Sequence, residues 1–237
     1  MNIEGLLKLS LIDPLEAQVL LAHALKCTRV QLVIRSKDEL TPQQVTDASA
    51  LLMRRMQGEP IAYLTGEREF HGLRFEITPD VLIPRHETEL LVELALQKLV
   101  KGGSVLDLGT GSGAIAVSLA HARRDALVTA TDTSPTALAL AKRNAAAHST
   151  SIQFVQSDWF EQIEGYFDLI VSNPPYIAAS DPHLLQGDLR FEPRSALTDE
   201  ANGMLHIGRI IDGAAHHLKP GGWLLLEHGY DQSAAVR

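Results

Sequence analysis

Phe167-Asp168-Leu169-Ile170-Val171-Ser172-Asn173-Pro174-Pro175-Tyr176 is an apolar run closed by an amide, two prolines and an aromatic ring. A short apolar run bounded by turn residues reads as a strand buried on both faces, as in parallel sheets. Proline neither continues a strand nor enters a helix interior. The backbone after Asn173 is therefore rigid, short of N–H donors and rich in free carbonyls. The segment predicts an Asn amide and adjacent carbonyl oxygens fixed at the C-terminal end of a strand, where open α/β sheets bind ligands. Such a cluster accepts hydrogen bonds from a planar NH2 group, either a carboxamide or the exocyclic amine of a base. The Tyr176 ring offers a flat face to pack on it. Asn173, Pro174 and Tyr176 are the candidate catalytic residues, and Pro175 joins them in contacting substrate.

Working outward, strands and helices alternate from Ser104 onward. This predicts a mostly parallel, twisted, Rossmann-like sheet with helices on both faces. Strands are expected at Ser104–Leu108, Leu127–Thr131, Ile152–Gln156, Phe167–Ser172 and Gly222–Glu227. Helices are expected at Ala114–Ala122, Pro135–Ala147 and Gly203–Leu218.

The first strand runs into Asp107-Leu108-Gly109-Thr110-Gly111-Ser112-Gly113 and then a helix. Glycines there permit positive φ and a close approach of ligand to backbone. The spacing also fits a dinucleotide fingerprint, which would hold a pyrophosphate at the helix N-terminus. The carboxylate of Asp107 just before the loop suits an ammonium better, and S-adenosylmethionine carries an ammonium and no phosphate. Asp132 ends the second strand, where a carboxylate can bind both ribose hydroxyls. Asp158 follows the third strand, where it can accept from an adenine amine, with Trp159 and Phe160 beside it to stack on the ring. Three acids at the ends of three successive strands form a nucleoside-binding pattern. The cofactor-binding set is Asp107, Gly109, Thr110, Gly111, Ser112, Gly113, Asp132, Asp158, Trp159 and Asn173.

Residues 1–66 read as a small helical bundle. Asp13-Pro14-Leu15-Glu16 and Thr41-Pro42-Gln43-Gln44 each place a capping side chain before a proline and a Glu or Gln at the third helical position, the spacing of a capping box. A separate helical unit ahead of a full set of motifs suggests a partner-holding role. Residues 67–85 read as a β-hairpin connector, with Phe70, Leu73, Phe75 and Ile77 alternating between glycines. An amphipathic helix follows from Glu87 to about Val100. Residues 86–237 complete the third segment.

Composition narrows the partners. The 237 residues carry a formal charge of −8 and 45% hydrophobic residues, enough for a core and unsuited to a polyanion as main partner. The single cysteine, Cys27, excludes an internal disulfide and a Cys-based zinc site and reads as a small buried hydrophobe. The histidines are scattered, and no metal site is expected. With no signal peptide or membrane-length apolar run, a cytoplasmic monomer without direct nucleic-acid or membrane contact is expected.

These motifs together resemble class I S-adenosylmethionine-dependent methyltransferases, and more closely the PrmC (HemK) family of peptide-chain release factor glutamine N5-methyltransferases. The resemblance covers essentially the whole chain. It rests on Gly58-Glu59-Pro60-Ile61-Ala62-Tyr63-Leu64-Thr65-Gly66, Leu82-Ile83-Pro84-Arg85-His86-Glu87-Thr88-Glu89, Asp107 through Gly113, Gln156 through Phe160, Ser172 through Ile177, and Arg190-Phe191-Glu192-Pro193. His86 stands where the family usually has proline. The resemblance implies an N-terminal bundle, a hairpin linker and a seven-stranded methyltransferase domain. It also implies S-adenosyl-L-methionine as methyl donor, S-adenosyl-L-homocysteine as product, and the Gly-Gly-Gln glutamine of class I release factors as acceptor. Leu82 would border the transferred methyl group. Arg85 would reach the substrate or, with Arg190 and Glu192, brace the motif loop. By the same resemblance the chain reads as lacking a final helix and antiparallel hairpin beyond Arg237. A ribosomal-protein glutamine methyltransferase is the nearest alternative, and a DNA or RNA amino-methyltransferase the next.

Overall fold

Side-chain caps start the helices of the N-terminal unit. The computed structural model describes all residues 1–237 and divides into two compact units, Met1–Gly66 and Glu67–Arg237. In the first, α1 (Ile3–Leu9), α2 (Pro14–Ala24), α3 (Arg29–Ile34), α4 (Pro42–Met56) and α5 (Ile61–Thr65) close around Ile3, Leu20, Leu21, Leu32 and Leu52. Asp13 accepts from the amides of Leu15 and Glu16, satisfying donors that a helix start leaves open. Glu16 does not reach back to complete a capping box; its carboxylate forks onto Arg55 at 2.8 and 2.7 Å. Thr41 and Gln44 do form the reciprocal box, and Thr28 with Gln31 forms another that the sequence reading missed. Cys27 lies in the turn after α2 and not within a helix, half-buried against the bundle core.

The second unit opens with a hairpin of β1 (Glu67–Phe70) and β2 (Leu73–Glu76). Its two-residue turn, His71-Gly72, has positive φ at both positions, the geometry that matches strand twist in tight hairpins. Phe70 and Phe75 meet edge to face at 6.1 Å, both buried. Then follow α6 (Glu87–Lys98), β3 (Ser104–Leu108), α7 (Ala114–Ala122), β4 (Leu127–Asp132), α8 (Pro135–Ala147), β5 (Ile152–Gln156), β6 (Phe167–Ser172), α9 (Leu205–His217), β7 (Leu218–Leu226) and the single turn α10 (Ser233–Val236).

Strands β3 to β7 form one parallel sheet in the order β5-β4-β3-β6-β7. The seven strands implied by the family resemblance are here five. The chain walks outward from β3 to β5, then returns to place β6 against the other side of β3. Right-handed crossovers put α7 and α8 on one face and α9 on the other. Leu106, Leu108 and Ile170 pack with Ile210 and Ala214 of α9. Central strands β3 and β6 are buried almost throughout, as a sheet covered on both faces requires.

Two element starts differ from expectation. α9 begins at Leu205, not Gly203, because Asp199 caps it: its carboxylate accepts from the amides of Ala201, Gly203 and Leu205. β7 begins at Leu218, not Gly222. Phe167 pairs with Leu218 but Leu169 pairs with Trp223, so Lys219-Pro220-Gly221-Gly222 bulge out between the two pairings. A Pro-Gly-Gly sequence is a turn signal on its own, and only the neighbouring strand β6 makes it an interruption inside a strand.

One buried side chain ties the hairpin to the sheet. Asn144 of α8 is 2% exposed. Its Oδ1 accepts from the amide of Glu76 at 2.8 Å, and its Nδ2 donates to the carbonyls of Glu76 and Ser112 at 3.0 and 2.8 Å. Asn144→Ala leaves the buried Ser112 carbonyl and the two part-buried backbone groups of Glu76 without their partner and is expected to cost about 1–3 kcal/mol, read as a lower urea midpoint at unchanged m-value.

Candidate active site

The sheet order decides where a ligand can bind. Strands β3 and β6 lie side by side but lead to helices on opposite faces, so their C-terminal ends bound a crevice. Leu108 and Ser172 are in register, and Ser172 Oγ donates to the Leu108 carbonyl at 2.7 Å. The glycine-rich loop and the Asn173 segment therefore leave the sheet at one level. Between them lies a cavity of about 400 Å³, the size range of a small-molecule site.

Gly109, Gly111 and Gly113 all have positive φ. A Cβ on Gly111 would meet nothing, whereas one on Gly113 would press on Ala141 at 3.0 Å. The first opening faces ligand space, and the second lets α7 and α8 approach. The Thr110 amide donates to the Thr131 carbonyl at 2.8 Å, and the Gly111 amide to Asp132 Oδ2 at 2.9 Å. The loop is thus fixed by β4 before any ligand arrives.

The three acids have distinct environments. Asp132 lines the cavity, accepts from the amides of Gly111 and Ser134, and has its pKa raised by burial against those bonds. Asp158 also lines the cavity, but its Oδ2 accepts from Arg209 at 3.0 Å. Asp107, the residue expected to meet an ammonium, lies deeper than the other two, and its Oδ1 has no partner. It is fully buried, does not line the cavity, and takes the Thr110 hydroxyl at 2.6 Å. Residue 107 points to the opposite face from Leu106 and Leu108, beneath the loop it braces. Burial pushes its carboxyl up to about 7, opposed by the Thr110 hydroxyl.

Gly109, Thr110, Gly111, Ser112, Asp132, Asp158, Trp159, Leu82, Arg85, Asn173 and Pro175 all line the one cavity. Gly113 stands behind it as the N-cap of α7. Trp159 has φ of 51°, and its indole sits 3.5 Å from where a Cβ on Gly109 would be. Ser157 builds that turn by donating to the Trp159 carbonyl and accepting from the Gln162 amide. Phe160 faces away and stacks on His217 at 4.8 Å.

Within the Asn173 segment the roles divide. Asn173 and Pro175 face the cavity; Pro174 is buried, and Tyr176 stands behind. Asn173 Nδ2 donates to Thr88 Oγ1 at 3.0 Å, which leaves its oxygen free to accept. The Tyr176 hydroxyl donates to Glu227 at 3.1 Å. Burial and the adjacent Glu227 carboxylate push the Tyr176 pKa well above its usual value, so it stays a phenol. The Tyr176 carbonyl accepts from Gln232 Nε2 and lies 2.1 Å from where a Cβ on Gly203 would be, so only glycine fits there. Arg85 pairs with the buried Glu192, whose other oxygen accepts from the Ile83 amide at 3.1 Å. Arg190 lies over the Phe191 ring at 4.9 Å.

Sequence reasoning missed several contributors. Thr88, His206 and Arg209 line the cavity, and His206 packs on Trp159 at 5.2 Å. Burial lowers the His206 pKa, favouring a neutral ring. Thr88 lay inside a quoted motif, but nothing local pointed its hydroxyl at Asn173. No group of three or more His, Cys, Asp or Glu is gathered as for a metal ion, and no helix is long and apolar enough to cross a membrane.

Comparison with known proteins identifies the family. Residues 86–188 match the Methyltransferase small domain family and residues 6–66 the PrmC N-terminal domain. A release factor glutamine methyltransferase from Burkholderia pseudomallei is 54% identical over 98% of this chain and 85% of its own length. The chain belongs to the release factor glutamine methyltransferase family. Among solved structures, a methyltransferase from Pyrococcus furiosus superposes with a TM-score of 0.53 at 23% identity, covering 79% of this chain and 84% of its own. The 16S rRNA N2 G1207 methyltransferase of T. Thermophilus, in complex with AdoMet and guanosine, gives 0.50 at 26% identity over 68% of this chain and 40% of its own. The family's sheet is thus the class I methyltransferase fold.

The buried acid makes a pH prediction. Because the Asp107 pKa is raised in the folded state, its favourable contribution is complete below the unfolded value and is lost as pH rises toward the folded one. The stability of ligand-free Asp107→Asn relative to wild type should therefore grow between pH 4 and about 7 and level off above. Melting temperatures across that range check it.

Proposed function

We propose that this chain transfers the methyl group of S-adenosylmethionine to the side-chain nitrogen N5 of the glutamine in the Gly-Gly-Gln motif of class I peptide chain release factors, in the cytoplasm. The observation that carries the reading is Asn173. Its NH2 is engaged by Thr88, so its oxygen is presented at a cavity whose opposite wall is the glycine-rich loop.

The residues present fit this donor. The loop carries no basic side chain, and the two arginines at the cavity are paired, Arg85 with Glu192 and Arg209 with Asp158. Asp80, Asp132 and Asp158 line the same space. Such a surface suits a cationic nucleoside and disfavours a pyrophosphate. Asp132 would take the ribose hydroxyls and Trp159 and Asp158 the adenine, with the glycine-rich loop bordering the amino acid portion. When bound, S-adenosylmethionine supplies a methyl group whose C–S bond breaks as the new N–C bond forms, and the amide then releases one proton to water.

An amide nitrogen is a weak nucleophile because its lone pair is delocalised. The Asn173 oxygen accepts one of its hydrogens, orients it and favours the positive charge that grows on it in the transition state. Tyr176, held by Glu227, packs behind the motif, while Leu82 and Arg85 border the entry. An exposed glycine-rich loop is a segment narrow enough to reach such a site. The N-terminal unit holds the protein substrate; on α3 it presents Val30, Val33 and Ile34 to solvent.

Labelled S-adenosylmethionine is offered with an intact class I release factor, with a copy whose Gly-Gly-Gln glutamine is alanine, and with duplex DNA. Label on the intact factor alone is expected. Label on the alanine copy or on DNA overturns the assignment. Asn173→Ala should lose about 10²–10³ in kcat while calorimetry finds S-adenosylmethionine affinity largely kept; a parallel collapse of affinity would end the separation of roles.

A further inference from the structure

We infer that Glu227 sets the hydrogen-bond polarity of the acceptor site and that Thr88 transmits it to Asn173, making both positioning residues for the transfer proposed above. Glu227 follows β7 and is anchored beside the Asn173 segment, its amide donating to the Ser172 carbonyl at 3.0 Å. Its carboxylate meets two hydroxyls, Thr88 Oγ1 at 2.6 Å and the Tyr176 hydroxyl at 3.1 Å.

A carboxylate only accepts, so Thr88 must give its single proton to Glu227. Thr88 Oγ1 then has only lone pairs left for its other neighbour. Asn173 must turn Nδ2 toward it, as observed at 3.0 Å, and the amide oxygen is thereby aimed the other way, at the cavity. Were Thr88 free to donate to Asn173 instead, the amide would gain by rotating and would face the glutamine NH2 with its own NH2. Donor would meet donor, and both the orienting bond and the stabilisation of developing positive charge would be lost. The second carboxylate oxygen fixes the Tyr176 ring by the same rule. One acceptor-only group thus determines what two motif residues present.

Glu227→Gln preserves shape but offers a donor as well as an acceptor, leaving the polarity undetermined. It is expected to lower kcat on intact release factor by about 10²-fold with KM changed less than about threefold, and to leave S-adenosylmethionine binding by calorimetry intact. Thr88→Val should lose as much, Thr88→Ser should stay near wild type, and the double variant Glu227→Gln/Thr88→Val should lose no more than either single one, as members of one chain do. The Asn173 side-chain NH2, assigned by nitrogen-15 NMR through its absence in Asn173→Ala, should exchange with water faster in Thr88→Val than in wild type. Wild-type kcat in Glu227→Gln, a Thr88→Ser as poor as Thr88→Val, or equal exchange overturns the inference. The threonine pair decides it even where Glu227→Gln is unstable. Absence of transfer by the wild-type protein would instead strike the functional reading itself.

Discussion

The side-by-side placement of β3 and β6 is the constraint on which the rest of the site depends. Register alone brings Leu108 level with Ser172, and the Ser172 hydroxyl closes the gap with a bond to the Leu108 carbonyl. The two loops that follow therefore start from one line. One turns into α7 and the other into proline-stiffened backbone, so a crevice opens between them. A slip of one residue in this pairing would turn Asp107 toward the other face and lift Asn173 out of line with the loop.

Around that crevice the backbone is held by side chains from elsewhere in the fold. Asp132 takes the Gly111 amide, Asn144 takes the Ser112 carbonyl, Glu192 takes the Ile83 amide, and Gln232 donates to the Tyr176 carbonyl. Loops of this kind carry groups that a buried environment penalises when unpaired. Each clamp satisfies such a group and removes a degree of freedom. The site is consequently formed before ligand binds, which lowers the ordering cost of binding and keeps acceptors where charge develops.

Much of this was legible along the chain. The strands Ser104–Leu108, Ile152–Gln156 and Phe167–Ser172 and the helices Ala114–Ala122 and Pro135–Ala147 stand where their apolar runs and caps place them. The Thr41 capping box forms as its spacing predicts. The misses have two causes. Glu16 abandons its capping partner for Arg55, 39 residues away. α9 starts late because of the Asp199 side chain, and β7 starts early because β6 pairs on both sides of a bulge. For Glu16 and β7 a long-range partner outbids a local rule and no short window of sequence contains both members, whereas Asp199 caps α9 from six residues upstream.

The same division runs through the site. By itself the sequence determined the chemistry on offer: glycines that admit left-handed backbone, acids at strand ends, and an amide followed by two prolines that leave carbonyls unspent. Those properties reside in single residues and their immediate neighbours, because steric limits on φ and the lack of a proline N–H act locally. Tertiary structure alone decided which group faces which. It sank Asp107 beneath the loop, paired Asp158 with Arg209, and joined Glu227, Thr88 and Asn173 across 139 and 85 residues of chain. The direction of a hydrogen bond depends on the protons both partners have left, and that is settled only when the chain has brought them together.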